Sequence, residues 1–324
     1  MQRFCRLLPA IVLGLSIGGT SACPAQLIAD AASSGPPLEL PLLAEPVPAP
    51  ETIPVFGAQR PVMAPSMIGD FSGGFLSGGA FKIADNESPR PEDRLFATYT
   101  YFNEVLTRPG KADFHQEIFG FEKVLLDGYA SVGLRAPVFE IPGDGSVGRS
   151  DFGDLSILLK YAWLDTKAGD VVSTGLVVTV PTGPNFTLAD GTSLHPVILQ
   201  PYVGGLVNLD RFYFHGFTSL AAPTDVRDAV LLFNDLGIGY RFYQGRETAV
   251  LSYVIPTVEA HIDTPLSHRG SQRLGVAALD EVIFTYGVHL GLFKKTQLSL
   301  GIATPVTGPL PFDLEALAEL NWRF

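Results

Sequence analysis

Between Phe96 and the C-terminus, apolar and polar residues alternate along one segment after another. In residues 155–163, for example, large apolar side chains occupy the odd positions, whereas Ser156 and Lys160 lie at even ones. A two-residue period is typical of a strand whose two faces meet different surroundings. Here one face carries Arg, Lys, His, Gly and Ala, which suits a polar interior, and the other face suits lipid.

The alternation defines twelve segments, most of them 9 to 12 residues long, the length that a tilted strand needs to cross a bilayer. The even number agrees with single-chain bacterial barrels. We therefore predict an all-β fold: one closed antiparallel transmembrane β-barrel of about twelve strands. The predicted strands are residues 96–106, 115–125, 128–138, 153–163, 171–180, 197–207, 211–219, 233–242, 247–257, 281–292, 296–303 and 313–324.

The predicted connections alternate in length. Those after even-numbered strands are short, and those after odd-numbered strands are longer, with the longest at 258–280. Short periplasmic turns and longer outer loops are the rule for outer-membrane barrels. A large soluble β protein, the alternative fold, has no reason to follow this rule.

The hydropathy of the chain also favours a transmembrane barrel. The mean hydropathy is +0.24 and 46% of the residues are hydrophobic. A membrane helix needs about 20 consecutive apolar residues, and no such run follows the N-terminal segment. An apolar chain without helical spans favours a transmembrane barrel, and with it the outer membrane of a Gram-negative-type bacterium.

Residues 1–25 resemble a signal peptide, with Arg3 and Arg6 before the apolar stretch 7–19. We predict cleavage after Ala25; the alternative is a lipoprotein cleaved before Cys23. Both cysteines of the chain lie in this segment, so cleavage after Ala25 leaves no disulfide or thiolate site. The net charge of −11 argues against a nucleic-acid partner, which would require a basic surface.

Three further regions follow the signal peptide. Residues 26–69 are rich in proline, which favours extended polyproline II over helix or sheet, and we interpret them as a disordered periplasmic extension. Residues 70–95 are rich in glycine and form either a lead-in to the barrel, such as an additional strand, or a small plug. Residues 96–324 form the barrel.

Two short motifs carry a resemblance to a known family. The segment Gly153–Tyr161 precedes a strand that ends in residues 180–183, Val-Pro-Thr-Gly, and echoes of the second motif occur at 254–257 and 303–308. Together they resemble the outer-membrane proteins of the phenol-degradation MetA-pathway type, a transporter-like barrel family, over residues 95–324. The resemblance implies an outer-membrane location and passage of small hydrophobic compounds. From the residues alone, Pro and Gly at these positions predict strand ends.

Charged residues on the predicted inner face occur with both signs, so they can pair across a narrow lumen and leave a narrow or occluded channel. The predicted lumen-lining residues are Glu122, Arg135, Lys160, Arg241, His289, Glu315, Glu319 and Arg323.

The chain ends on an aromatic residue of an alternating strand. Trp322 and Phe324 resemble the C-terminal signal that the barrel-insertion machinery reads. The expected partners are therefore this machinery, outer-membrane lipid with lipopolysaccharide, and small hydrophobic solutes.

No catalytic, metal or cofactor site is predicted. Barrel lipid hydrolases carry a Ser two residues after a His on one strand face, and none of the six histidines has one. His261, Asp263 and His268 could bind a divalent ion at the outer loop, but solvated loop residues are the favoured interpretation. The leading hypothesis is a channel for small, hydrophobic molecules. The alternatives are a structural or adhesive anchor and, less favoured, a lipid-modifying enzyme.

Overall fold

The fold is seen in a computed structural model. It describes residues 65–71, 81–106, 111–141, 149–187, 193–246, 249–271, 279–307 and 310–324. These residues all belong to one compact unit, Val55–Phe324. The predicted signal peptide and the predicted proline-rich extension as far as residue 64 lie outside the described residues.

Twelve long strands follow one another in the chain. They are β1 Arg94–Leu106, β2 Lys111–Leu125, β3 Ala130–Ile141, β4 Leu155–Asp165, β5 Val171–Val180, β6 Ile198–Leu209, β7 Phe212–Pro223, β8 Leu231–Tyr240, β9 Leu251–Pro265, β10 Glu281–Leu292, β11 Thr296–Pro305 and β12 Leu314–Arg323. Short strands Arg149–Phe152 and Tyr243–Gln244 extend the sheet beside β3 and β9, Phe186–Thr187 pairs with Ser193–Leu194, and a 3₁₀ turn, Leu126–Gly128, joins β2 to β3.

Each strand pairs antiparallel with its neighbours in the sequence, and the sheet closes on itself. At the closure β12 pairs with β1, from Arg94 opposite Arg323 to Asn103 opposite Leu314. The predicted closed antiparallel barrel of about twelve strands is therefore confirmed. A closed barrel leaves no unpaired edge, which a strand exposed to lipid cannot tolerate.

Four connections differ from the prediction, and one of them, between β7 and β8, is shortened from 220–232 to residues 224–230. Strand β2 begins at Lys111, so only residues 107–110 join it to β1, and β9 continues to Pro265, which shortens the predicted loop 258–280 to 266–280. The connection between β8 and β9 spans residues 241–250 and is longer than predicted. The alternation of short and long connections thus holds only in part. We call the end that holds Arg94 the short-turn end and the opposite end the long-loop end.

A proline accounts for the predicted end of the ninth strand at residue 257, whereas β9 continues to Pro265. Pro256, part of the second echo of the Val-Pro-Thr-Gly motif, lies inside β9 opposite Val288 instead of ending the strand. Pro181 and Pro305 do lie at strand ends, directly after β5 and at the last position of β11. The proline ring removes one backbone donor, but it does not by itself stop a strand.

The two faces of the barrel differ as the alternation predicts. In β4 the odd-numbered positions from Ile157 to Trp163 are exposed and apolar, whereas Ser156, Lys160 and the small or apolar residues between them are buried. Exposed aromatic rings such as Trp163 and Phe293 lie at the short-turn end, where an interfacial girdle is found in such barrels. Within the described part of the chain, no helix is long and apolar enough to cross a bilayer.

The interior of the barrel is filled by the chain itself. Residues 65–71 and 81–92 lie inside the ring of strands, nearly all of them buried, and we call them the plug. Met67, Ile83 and Ala84 pack with Tyr202 and Phe217 of the wall and its neighbouring apolar residues. Residues 65–69 belong to the predicted extension, but they lie in the lumen, where their apolar side chains and backbone amides find partners.

Candidate functional site

One side of the lumen is basic and binds the carboxylate of Glu87. Its Oε atoms lie 2.8 Å from Arg94 on β1, 2.7 Å from Arg135 on β3 and 2.5 Å from Lys160 on β4. All four side chains are buried. Burial would raise the pKa of Glu87, but the three cations lower it to about 2. We call Arg94, Arg135 and Lys160 the basic wall.

The basic wall also binds the backbone of the plug. Lys160 donates to the carbonyl oxygens of Ser88 at 2.7 Å and Arg90 at 3.2 Å, and Arg94 donates to that of Asn86 at 2.8 Å. Glu122 on β2 completes the network, 3.0 Å from Arg94 and 2.9 Å from Lys160. The plug has no strand partner at residues 86–90, so these side chains satisfy carbonyls that would otherwise be unpaired.

Three arginines lie at the short-turn end of the lumen. Arg323 lies 2.9 Å from the carboxylate of Glu92 in the plug, and Arg90 of the plug lies 3.1 Å from Asp165 on β4. Arg241 follows the last residue of β8, lies in the turn and donates to the carbonyl of Asp210 at 2.7 Å. Arg241 therefore holds two turns together at the barrel end.

The opposite side of the lumen is acidic. Glu259 on β9 accepts hydrogen bonds from the amides of Ile68, at 3.0 Å, and Gly69, at 2.9 Å. The hydroxyl of Thr285 on β10 donates to the carbonyl of Gly69 at 2.7 Å. Asp235 on β8 contributes a further buried carboxylate. The plug is thus held between a basic and an acidic side.

The predicted loop position of His261 and Asp263 is wrong. They were assigned to a solvated outer loop with a weak capacity for metal, but both are buried on the inner face of β9. His261 Nδ1 lies 2.9 Å from the Asp235 carboxylate, and Asp263 pairs with Lys82 of the plug at 2.9 Å. His268 lies outside β9, in the exposed connection that follows. No group of three metal-ligating side chains is found among the described residues.

The other predicted lumen residues are also buried. The carboxylates of Glu315 and Glu319 on β12 are shielded from solvent, and His289 Nδ1 lies 2.9 Å from Ser299 Oγ on β11. His289 and Ser299 are direct cross-strand partners, a proximity that a search for His and Ser on one strand does not detect. Of the predicted set, the structure brings Glu122, Arg135 and Lys160 into one network around Glu87.

The family-like motifs meet at the long-loop end. Asp154 accepts hydrogen bonds from the amides of Thr182 at 3.0 Å and Gly183 at 2.7 Å, and His195 Nε2 lies 3.0 Å from the same oxygen. A side chain on Gly183 would clash with the backbone of Gly153, with its Cβ only 2.8 Å from that carbonyl carbon. The Gly-Asp motif before β4 and the Pro-Thr-Gly motif after β5 therefore hold these two connections together at the long-loop end. This role is structural.

The aromatic pair at the C-terminus faces outward. Trp322 and Phe324 are both nearly half exposed, and their ring centroids lie 5.8 Å apart at the short-turn end. Lys123 places its ammonium 5.3 Å from the ring of Phe324. This position leaves the pair accessible from the lipid side of the barrel.

Several interior residues lie outside the predicted strands. Arg94 lies just before the predicted start of the first strand, and Glu259 just after the predicted end of the ninth. A signal existed at Glu259, because polar residues continue at every second position through His261 and Asp263. The plug partner Glu87 had no local signal, since it lies in a segment without strand or helix.

Open space inside the described barrel is small. A cavity of about 40 Å³ near the long-loop end is lined by Phe71 and Phe81 of the plug together with wall residues that include Arg135, Phe139 and Asp154. This volume suits water and is far below that of an ordinary ligand pocket.

A closed ring of twelve strands, apolar outside and polar inside, defines a transmembrane β-barrel of the kind that spans the Gram-negative outer membrane. No family model and no curated protein matches the chain. Solved structures do. An outer-membrane channel from Pseudomonas putida F1 is 12% identical over 72% of this chain and 96% of its own, with a TM-score of 0.50.

Two further solved barrels are similar. The NanC porin is 8% identical over 71% of this chain and 98% of its own, with a TM-score of 0.46. The β domain of the Bordetella autotransporter BrkA is 11% identical over 72% of this chain and 100% of its own, with a TM-score of 0.44. At such identities the likeness concerns the fold.

Proposed function

We propose that this protein is an outer-membrane channel for small, hydrophobic molecules and that the plug closes its lumen. The observation that carries the proposal is the way in which the plug is held. Two segments of chain occupy the lumen, and the described contacts between them and the wall are hydrogen bonds, ion pairs and apolar packing, which can exchange with water. A barrel that encloses two chain segments has room for a solute when they leave.

The apolar part of the wall supports a hydrophobic solute. Plug residues Ile68 and Phe71 pack in one cluster with Phe96, Phe102 and Ile118 and their neighbours on the inner wall. Release of the plug would expose these side chains along the path. A small solute with an apolar group would bury part of that surface, at about 25 cal/mol per Å².

The likeness to the Pseudomonas putida channel agrees with this proposal. The MetA-pathway resemblance of residues 95–324 suggests the same substrate class. Lipid and lipopolysaccharide around the apolar outer face, and the insertion machinery at Trp322 and Phe324, are the partners that we propose for assembly in the membrane.

A structural or adhesive anchor is the second candidate, and the filled lumen favours it. Buried ion pairs in both halves of the barrel make the interior look like a protein core. For a lipid-modifying enzyme, the Ser299–His289 contact lies buried inside the barrel and not on the lipid face. A second His–Ser contact, His268 with Ser267 at 3.1 Å, lies in the exposed connection after β9.

Liposome swelling separates the channel from the anchor. Purified wild-type protein would be compared with Glu87→Gln, which weakens the contact between plug and basic wall, and with Glu104→Gln, which changes an exposed ion pair at the rim. A channel predicts faster entry of small apolar-substituted solutes in Glu87→Gln than in the other two proteins. Equal impermeability of all three, with the plug shown to be released in Glu87→Gln, would support the anchor.

A further inference from the structure

Lys82 of the plug occupies a site that has all the parts of an ammonium-binding site. Its Nζ lies 2.6 Å from Asp70 of the plug and 2.9 Å from Asp263 on β9. The same nitrogen lies 5.3 Å from the centroid of the Phe233 ring on β8. Carboxylates and an aromatic face are the groups that recognise alkylammonium ions. Lys82 is fully buried, so this ammonium has exchanged its hydration for these contacts.

Two more buried carboxyl groups lie near the site. Glu281 is the cross-strand partner of Asp263, and Glu315 lies within electrostatic range of Asp70 and Lys82. Both glutamates are buried, and neither carboxylate has a hydrogen-bond partner among the described residues. An unpaired buried carboxylate is costly. This half of the lumen therefore contains more buried carboxyl groups than Lys82 alone can pair with.

We propose that this site, formed on the wall by Asp263 and Phe233 with Glu281 beside Asp263, binds small primary ammonium ions with a short apolar tail, and that Lys82 is its tethered occupant. The inference rests on the proposed function, because a solute reaches the site when the plug moves. It also narrows the substrate class. The ammonium group replaces Lys82 Nζ, and the apolar tail replaces its methylenes beside Phe233.

The geometry selects a primary ammonium over other cations. Lys82 Nζ donates a hydrogen bond to Asp263 Oδ2 at 3.0 Å and lies 2.9 Å from the other Asp263 oxygen and 2.6 Å from Asp70, so a hydrogen-bonded ammonium sits between two carboxylates. A quaternary ammonium has no donors for these oxygens. An inorganic ion has no apolar tail to bury. The alkyl part of the solute thus adds to the affinity that the charge supplies.

Chemical rescue tests the site without requiring transport. Lys82→Ala removes the atoms of n-propylammonium, and the full-length variant would be melted in detergent, with heat-modifiable gel migration as the readout. We expect n-propylammonium to raise the melting temperature of Lys82→Ala towards that of the wild type. Equal concentrations of 1-propanol, tetramethylammonium or NaCl should have a smaller effect. The control Lys111→Ala removes an exposed lysine that also contacts two carboxylates and should show no rescue.

Competition in the wild-type protein gives a second readout if Lys82→Ala does not fold. Added n-propylammonium should speed hydrogen exchange of the amides near Lys82, whereas 1-propanol should not, and Asp263→Asn should abolish the difference. No selective effect of n-propylammonium in either experiment would overturn the site. If n-propylammonium rescues Lys82→Ala but no solute enters the liposomes, the ammonium site stands and the channel is rejected. If solutes enter but there is no rescue, the channel stands and the ammonium site is rejected.

Discussion

Glu87 is the residue whose replacement should loosen the plug most selectively. The change Glu87→Gln keeps the size of the side chain and removes the charge that Arg94, Arg135 and Lys160 share. Only 1% of the Glu87 side chain is exposed, so solvent cannot replace the lost carboxylate. The three cations would then face one another with less compensation.

The magnitude follows from the burial of these groups. Removal of one partner from a buried ion pair costs about 3 to 5 kcal/mol. Glu122 still lies 3.0 Å from Arg94 and 2.9 Å from Lys160 in the variant, so we use the lower end, about 3 kcal/mol. Since about 1.4 kcal/mol corresponds to a factor of ten, the equilibrium between bound and released plug should shift roughly a hundredfold.

Hydrogen exchange of the plug amides measures this shift, because exchange of protected amides reports local opening. Peptides that cover residues 82–92 should exchange roughly a hundredfold faster in Glu87→Gln than in the wild type. Glu104→Gln is the matched control, since its pair with Lys111 is about half exposed and such pairs contribute only ~0–1 kcal/mol. An increase of less than about threefold in Glu87→Gln would refute the reasoning that this charge holds the plug.

Two other predictions concern a loop and the wall. Burial raises the pKa of Asp228, between β7 and β8, to about 6. Because this pKa exceeds the unfolded value of about 3.9, the stability that Asp228 contributes is fully present below pH ~3.9 and is lost as the pH rises through about 6. Hydrogen exchange should therefore find the loop less protected at about pH 7.5 than at about pH 5. Asp228→Asn should remove the difference. In Gly175→Ala the new Cβ would clash with the carbonyl oxygen of Leu159 and with the ring of Tyr202, so the free energy of unfolding should fall by about 1 to 3 kcal/mol. Gly205→Ala, whose new Cβ has no atom within 4 Å, should melt like the wild type. Equal melting of both variants would contradict the packing.

Much of the barrel was predictable because the signal is local. In a strand, successive side chains point to opposite faces, so Ser156 and Lys160 could be assigned to the interior without any knowledge of their partners. The error at Pro256 shows where a local rule misleads, since a proline inside β9 resembled a strand end and moved Glu259, His261 and Asp263 into a loop.

The candidate site was predictable only as a set of inward charges. Arg135 and Lys160 were on that face, but their common partner Glu87 lies in a segment with no periodic pattern. The amide of Ile68 and the carboxylate of Glu259 are 191 positions apart, and neither residue carries a sign of the other. Such pairings depend on closure of the ring, which brings β9 and the plug together.

The sequence by itself determined the strands, the faces and the even number that allows closure, because each of these follows from a repeat of two residues. The tertiary structure decided what fills the lumen. Once the ring is closed, the basic wall is left with buried positive charge and the opposite side with buried negative charge. Neither is stable when it is buried and unpaired. The plug supplies Glu87 to the first and Lys82 to the second, an outcome that depends on three-dimensional proximity and not on any local pattern.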